Sequence, residues 1–187
     1  MVTVAILQGW GGAPWHVKQF EDMLLRSGFA VTDPVRADIV IAHGAACYDL
    51  PQKTPAVLYI LIDPPYWPGK SILLRFWEKI SQDFSTLRRD RGIKFLLSKY
   101  FWCATYGVIK ANYAVLAVKS VGGLDFLTRA EGKNIWVVRN QEDVLCSSDI
   151  QLPLAGYKRA HLVSLPGMHD DFLTNPQPYI AILPKQI

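Results

Sequence analysis

Cysteine is scarce: only Cys47, Cys103 and Cys146 occur among 187 residues, widely spaced and odd in number. No C-x-x-C pair is present, which argues against a zinc site built on thiolates, and a reducing cytoplasm is the setting this usage fits. No metal or other cofactor is expected. Charge is scarce too, at 19% of residues with a net +4. Its densest cluster, Arg88-Arg89-Asp90-Arg91, is diluted by an acid and reads as a solvated helix end, so no nucleic-acid partner is expected. A long uninterrupted apolar run is also missing. Residues 95–118 come nearest, but Lys99 and Lys110 interrupt them and Asn112 adds a polar group. Each lysine inside a span would cost roughly 2.5–3.5 kcal/mol, so membrane contact is disfavoured and buried or lid-forming helices are the better reading. The N-terminal residues run straight into strand-like Val2–Leu7, with no basic region ahead of an apolar one, so no signal peptide is expected.

What is present is a globular chain, half hydrophobic, in which twelve prolines and thirteen glycines punctuate many short elements. One domain over residues 1–187 is expected. Strands are predicted at Val2–Leu7, Phe29–Val31, Asp38–Ala42, Ala56–Ile62, Asn134–Arg139 and His161–Leu165. Helices are predicted over about Trp15–Ser27, Ser71–Arg91, Ile93–Ala104, Gly107–Val121, Ser148–Tyr157 and Pro178–Leu183. Strands alternating with helices give an α/β fold with a mainly parallel central sheet. Only six residues separate Val31 from Asp38, too few for the usual crossover helix, so that edge of the sheet must be trimmed or rearranged.

The chain is organised around Asp38-Ile39-Val40-Ile41-Ala42-His43-Gly44-Ala45-Ala46-Cys47. An apolar strand runs into a cluster of very small residues, the local pattern of a sharp strand-to-helix turn. In a parallel α/β sheet functional residues sit beyond the carboxyl ends of strands. Three further strand ends hold notable residues: Gly9-Trp10-Gly11-Gly12, Asn140-Gln141-Glu142-Asp143, and Gly167-Met168-His169-Asp170-Asp171.

Together these four loops resemble the α/β-hydrolase superfamily, whose triad runs in the order elbow, acid, histidine. They look most like its small serine hydrolases, of the retinoblastoma-binding protein 9 and YdeN type, over nearly the whole chain. The resemblance implies a nucleophile position at Gly44, an acid at Asp143 and a base at His169. It places the oxyanion-hole amides at Trp10 and Ala45, and a helical lid at about 64–123 whose Trp67 and Trp77 contribute to substrate binding. Glu142 and Asp149 compete with Asp143 for the acid. His43 reads as packed behind the elbow, Cys47 as a small buried residue, and Asp170 and Asp171 as solvating their loop.

Glycine at 44 departs from the family pattern, because no acyl-enzyme can form there. The implied protein is therefore a serine hydrolase (ester, thioester or amide) made inactive or crippled, by natural loss or by design. Two alternatives stand beside it: a non-catalytic protein binding a small acyl or apolar ligand or a protein, and catalysis by a His169–Asp143 dyad without serine.

Overall fold

The computed structural model describes residues 1–9, 14–51, 54–69, 71–86, 93–109, 123–130 and 132–187. Six strands form one sheet: β1 (Thr3–Leu7), β2 (Ala30–Val31), β3 (Ile39–His43), β4 (Leu58–Ile62), β5 (Asn134–Asn140) and β6 (Ala160–Leu165). Their order is β2-β1-β3-β4-β5-β6, and every pairing is parallel. The apolar runs of β3 and β4 are buried at every position, as strands covered on both faces must be.

Alternate residues face two cores. Val40, Ala42, Tyr59, Leu61 and Val137 pack with Phe126 and Ile150 on one side. Ile39, Ile41, Ile60 and Val138 pack with Phe20, Leu24, Phe172 and Tyr179 on the other. Phe20 and Leu24 lie one turn apart on α1 (Lys18–Arg26), which follows a 3-10 turn at Pro14–Val17. The helix ends where the Phe29 amide donates back to the Leu24 carbonyl at 3.1 Å around Gly28, at φ +88°.

The short link before β3 has a simple cause. β2 stops at Val31, opposite Val4, and β3 starts at Ile39, opposite the same Val4. The chain gains almost no height on β2 and needs no helix to return. It passes under β1, held by the Thr3 amide and hydroxyl donating to Asp38 Oδ2 at 2.8 and 2.7 Å.

Between β4 and β5 lie α2 (Ile72–Thr86) and α3 (Ile93–Ile109). α3 is one helix running through Gly107, where the sequence suggested a break. The remainder of that expected helix lies outside the described residues. A short helix α4 (Asp125–Arg129), not foreseen, leads into β5. Between β5 and β6 a 3-10 turn at Ser148–Ile150 passes into α5 (Gln151–Leu154). After β6 come α6 (Asp171–Thr174) and α7 (Gln177–Ala181).

Candidate active site

β3 delivers the chain to Gly44, which takes φ +57°, a left-handed conformation that glycine adopts without strain. A wholly buried 3-10 turn, Gly44–Tyr48, follows. Cys47 closes it from below, its thiol donating to the Ala42 carbonyl at 3.3 Å. Burial, then the nearby Asp63, raises that thiol well above its usual range, so Cys47 is not a nucleophile in waiting. Gly9, at the end of β1, lies flat against this turn. A Cβ on it would sit 2.6 Å from the His43 carbonyl oxygen and 2.9 Å from the Ala45 amide nitrogen. The Ala45 amide therefore borders the first loop, while Trp10 itself lies outside the described residues.

Two strands further along, the chain turns after Asn140 and brings Asp143 inward. Its Oδ1 accepts from the Leu145 amide at 2.8 Å, and its Oδ2 from His169 Nδ1 at 3.0 Å. Both side chains are almost fully buried. Burial alone would push Asp143 up, but His169, the Leu145 amide and Lys79 outweigh it and hold the carboxyl below its ordinary value. An ionised Asp143 fixes the proton of His169 on Nδ1 and turns Nε2 outward as the basic nitrogen. A Cβ built on Gly44 would lie 3.3 Å from that Nε2 and 3.6 Å from Cε1. Asp143 is the one of the three candidate acids that meets the histidine. Glu142 is exposed, and Asp149 is an exposed group at the start of the following 3-10 turn.

The His169 loop is held from three sides. Gly167 takes φ +123°, and the Met168 amide donates to Asp171 Oδ2 at 2.7 Å. The His169 carbonyl meets His43 Nε2 at 2.8 Å, and His43 stacks on Phe172. Burial, then the neighbouring His169, lowers the His43 pKa to about 3, so it is a neutral prop. Asp170 does not solvate the loop, as the sequence suggested. It is buried, and its Oδ2 accepts from Lys79 at 2.9 Å and Lys99 at 2.5 Å, while both lysines also pair with Asp83. α2 and α3 are thereby fastened to the residue next to His169.

Asp63 is not among the residues singled out from the sequence. It is fully buried at the end of β4, at φ +47°, and its two oxygens accept from the Asn140 backbone and side-chain amides at 2.7 and 2.5 Å. Asn140 also donates to the Met168 carbonyl and accepts from the Tyr179 hydroxyl, each at 2.8 Å. Burial, then the charge of Asp143, raises Asp63 well above its ordinary carboxylate value. A carboxylic acid directly after five apolar strand residues was the signal available in the sequence.

Trp67 is buried beside the Asp143 turn, where Tyr66 bridges to Cys146. Trp77 stands in solvent at 68% exposure on α2. Two groups of donor atoms are close enough to consider for a cation: His43, His169 and Asp170, and Asp63, Asp143 and His169, each set within 4.8 Å. Each of these side chains already has at least one partner. His169 Nδ1 is on Asp143, His43 Nε2 on a carbonyl, Asp170 on two ammoniums and Asp63 on Asn140.

No family model matches the chain, and no curated protein matches it by sequence. Solved structures do match by shape. A carboxylesterase of the ammonia-oxidizing thaumarchaeon Nitrososphaera gargenis superposes with a TM-score of 0.63 at 12% identity, over 97% of this chain and 88% of its own. The thioesterase domain of the curacin biosynthetic pathway gives 0.59 at 10% identity, covering 97% and 90%. A membrane phospholipase A described as a bacterial virulence factor gives 0.66 at 14% identity, covering 96% and 76%. At these identities the likeness establishes an α/β-hydrolase fold: a parallel sheet flanked by helices, as the sequence implied.

Proposed function

We propose that this α/β-hydrolase-fold chain comes from a serine-hydrolase lineage, of the small retinoblastoma-binding protein 9 and YdeN type. His169 and Asp143 keep the base and acid positions, while Gly44 occupies the nucleophile position and prevents acyl-enzyme formation. The observation that carries this is the direction of His169. Nδ1 is anchored on buried Asp143, and Nε2 faces the place where a side chain on residue 44 would begin.

With a hydroxyl there, Nε2 would take its proton as oxygen attacked an ester, thioester or amide carbonyl. Asp143 would stabilise the imidazolium, and the Ala45 and Trp10 amides would face the oxyanion. As written, the chain keeps the site for a small acyl or apolar ligand and is inactive or crippled in acyl transfer.

A second reading rests on a separate fact. Among the described residues, His169 Nε2 has no hydrogen-bond partner. The dyad could therefore draw a proton from water and hydrolyse a bound ester directly, without serine.

The deciding experiment is Gly44→Ser with a fluorophosphonate probe. The expected result is covalent labelling of the variant alone, abolished by adding His169→Ala. A folded Gly44→Ser protein that neither labels nor hydrolyses acyl esters would leave a binding protein. Hydrolysis by the Gly44 chain that is lost in His169→Ala would favour direct attack by water.

A further inference from the structure

A side chain holds each of the two peptide planes that flank His169. The His169 carbonyl meets His43 Nε2 at 2.8 Å, and the Met168 carbonyl just before it accepts from Asn140 Nδ2 at 2.8 Å. Because each peptide is a rigid plane, fixing both carbonyls sets the direction in which the histidine side chain leaves the backbone. His43 holds one plane, and Asn140 holds the other. Asn140 is the last residue of β5, three residues ahead of Asp143, whose amide donates back to the Asn140 carbonyl at 3.1 Å. One residue therefore touches both of the loops whose side chains must meet.

An amide can do this only if its two ends are told apart, since its nitrogen and oxygen are alike in shape and opposite in hydrogen bonding. Three buried contacts make the distinction. Asp63 Oδ2 takes the second hydrogen of Asn140 Nδ2 at 2.5 Å, and Asp63 Oδ1 takes the Asn140 backbone amide at 2.7 Å. The Tyr179 hydroxyl donates to Asn140 Oδ1 at 2.8 Å. Turning the amide over would set its oxygen against the Asp63 carboxylate and the Met168 carbonyl. Asp63 and Asn140 are fully buried and Tyr179 is 2% exposed, so water does not make good that loss. Asp63 is also the one non-glycine residue among the described residues at positive φ, +47°. Such a backbone persists where its surroundings impose it, and it gathers at functional sites. Here it falls on the carboxylate that orients Asn140.

The sheet itself does not need this network. β5 already pairs with β4 from Asn134 to Val138 and with β6 from Ile135 to Asn140. The Gln141 and Glu142 amides continue that link to the Leu165 and Gly167 carbonyls, each at 2.9 Å. What the Asn140 side chain adds is the contact at Met168. We propose that Asn140 is a positioning residue of the His169–Asp143 dyad, oriented by Asp63 and Tyr179. It fixes the Met168–His169 peptide so that Nδ1 meets Asp143 and Nε2 faces residue 44. The inference rests on the dyad of the proposed function, and it extends that site to the end of β4 and to α7.

The test is proton NMR of the full chain, following the His169 Nδ1 proton. Held on a buried carboxylate, that proton should resonate far downfield and exchange slowly with water, and its absence in His169→Gln assigns it. The informative variant swaps the two partners, combining Asp63→Asn with Asn140→Asp. The amide at position 63 then donates to the carboxylate at position 140, Tyr179 keeps an acceptor, and the net charge is unchanged. Only the Met168 carbonyl loses its donor. We expect the swapped protein to fold by circular dichroism, with the Nδ1 proton exchanging at least tenfold faster than in wild type. Tyr179→Phe, which keeps the ring and removes one hydroxyl, should speed exchange severalfold and decides the matter if the swapped protein does not fold. A purely structural network predicts the opposite, because the contact between positions 63 and 140 is restored by the swap. A wild-type exchange rate in the folded swapped protein, or in Tyr179→Phe if the swap does not fold, would overturn the proposal and leave the dyad standing. A wild-type chain without the downfield proton would remove the dyad, and the proposal with it.

Discussion

Asp170 Oδ2 lies 2.5 Å from Lys99 Nζ, and Asp170 is the next residue after His169. The position of the imidazole is therefore linked to helices that the fold inserts between β4 and β5. Burial works against a charged Lys99, but Asp170 and Asp83 more than compensate and raise its pKa, so the ammonium is charged throughout the neutral range.

Asp170→Asn leaves two inward ammoniums with only Asp83 to balance them. Removing one member of a buried ion cluster typically costs about 3–5 kcal/mol, because the remaining charge stays desolvated. We expect urea denaturation to show a loss of that order, with broadened His169 imidazole signals in NMR. A loss below about 1 kcal/mol would mean that the cluster is solvated and does not hold the loop.

The Asp63–Asp143 pair gives a pH signature with a definite sign. Asp63 has a raised pKa in the folded protein, so its contribution favours folding at low pH and is lost as pH climbs from about 4 upward. Asp143 is lowered, and its contribution is lost in the opposite direction, as pH falls. Asp63→Asn removes the first effect only. Urea midpoints measured from acid to alkaline pH should therefore show the variant improving steadily relative to wild type as pH rises. One hydrogen bond to Asn140 will be mismatched, which adds a constant offset and leaves that slope unchanged. Parallel curves would show that Asp63 is ionised in the folded state.

Much of this organisation is legible in the residues. The strand runs at Ile39–Ala42 and Leu58–Ile62 are buried on both faces, so their composition alone marks them, and Asp143 and His169 stand out as polar residues at strand ends. Other features depend on long-range contacts that carry no local pattern. Asp170 resembles any loop acid until Lys79 and Lys99, 91 and 71 residues away, arrive beside it. Asp63 resembles the start of a turn because Pro64 follows it. Gly107 suggested a helix break, yet α3 continues through it, since one glycine costs only about 1 kcal/mol in a helix that tertiary contacts hold.

Gly9→Ala tests the contact between the first loop and the elbow. The added methyl would meet the His43 carbonyl and the Ala45 amide, both backbone atoms that cannot move aside alone. We expect a loss of about 1–3 kcal/mol in urea denaturation, the usual range for forcing a methyl into a filled space. In a Gly44→Ser background the same change should lower turnover further than stability, because it displaces the amides proposed to bind the oxyanion. Unchanged turnover in a folded double variant would argue that the first loop contributes no donor.

Gly44→Ser also makes a quantitative prediction about the acid. Residue 44 sits at φ +57°, so any side chain there costs about 1–2 kcal/mol of backbone strain, and its Cβ would press on His169 at 3.3 Å. Gly44→Ala carries the same cost without a hydroxyl, so comparing the two variants separates packing from chemistry. The serine variant is expected to hydrolyse small acyl esters orders of magnitude faster than either wild type or the alanine variant. Loss of a triad serine costs up to about 10⁶ in turnover in a protease where it has been measured. Adding Asp143→Asn should then lower the gained rate by about 10⁴ while leaving the fold intact, because the amide disfavours the tautomer in which Nε2 accepts the serine proton. If Asp63 can take over as the acid, the drop will be much smaller, and Asp63→Asn on top of it will complete the loss. A serine variant no more active than the alanine one would remove the nucleophile assignment from residue 44.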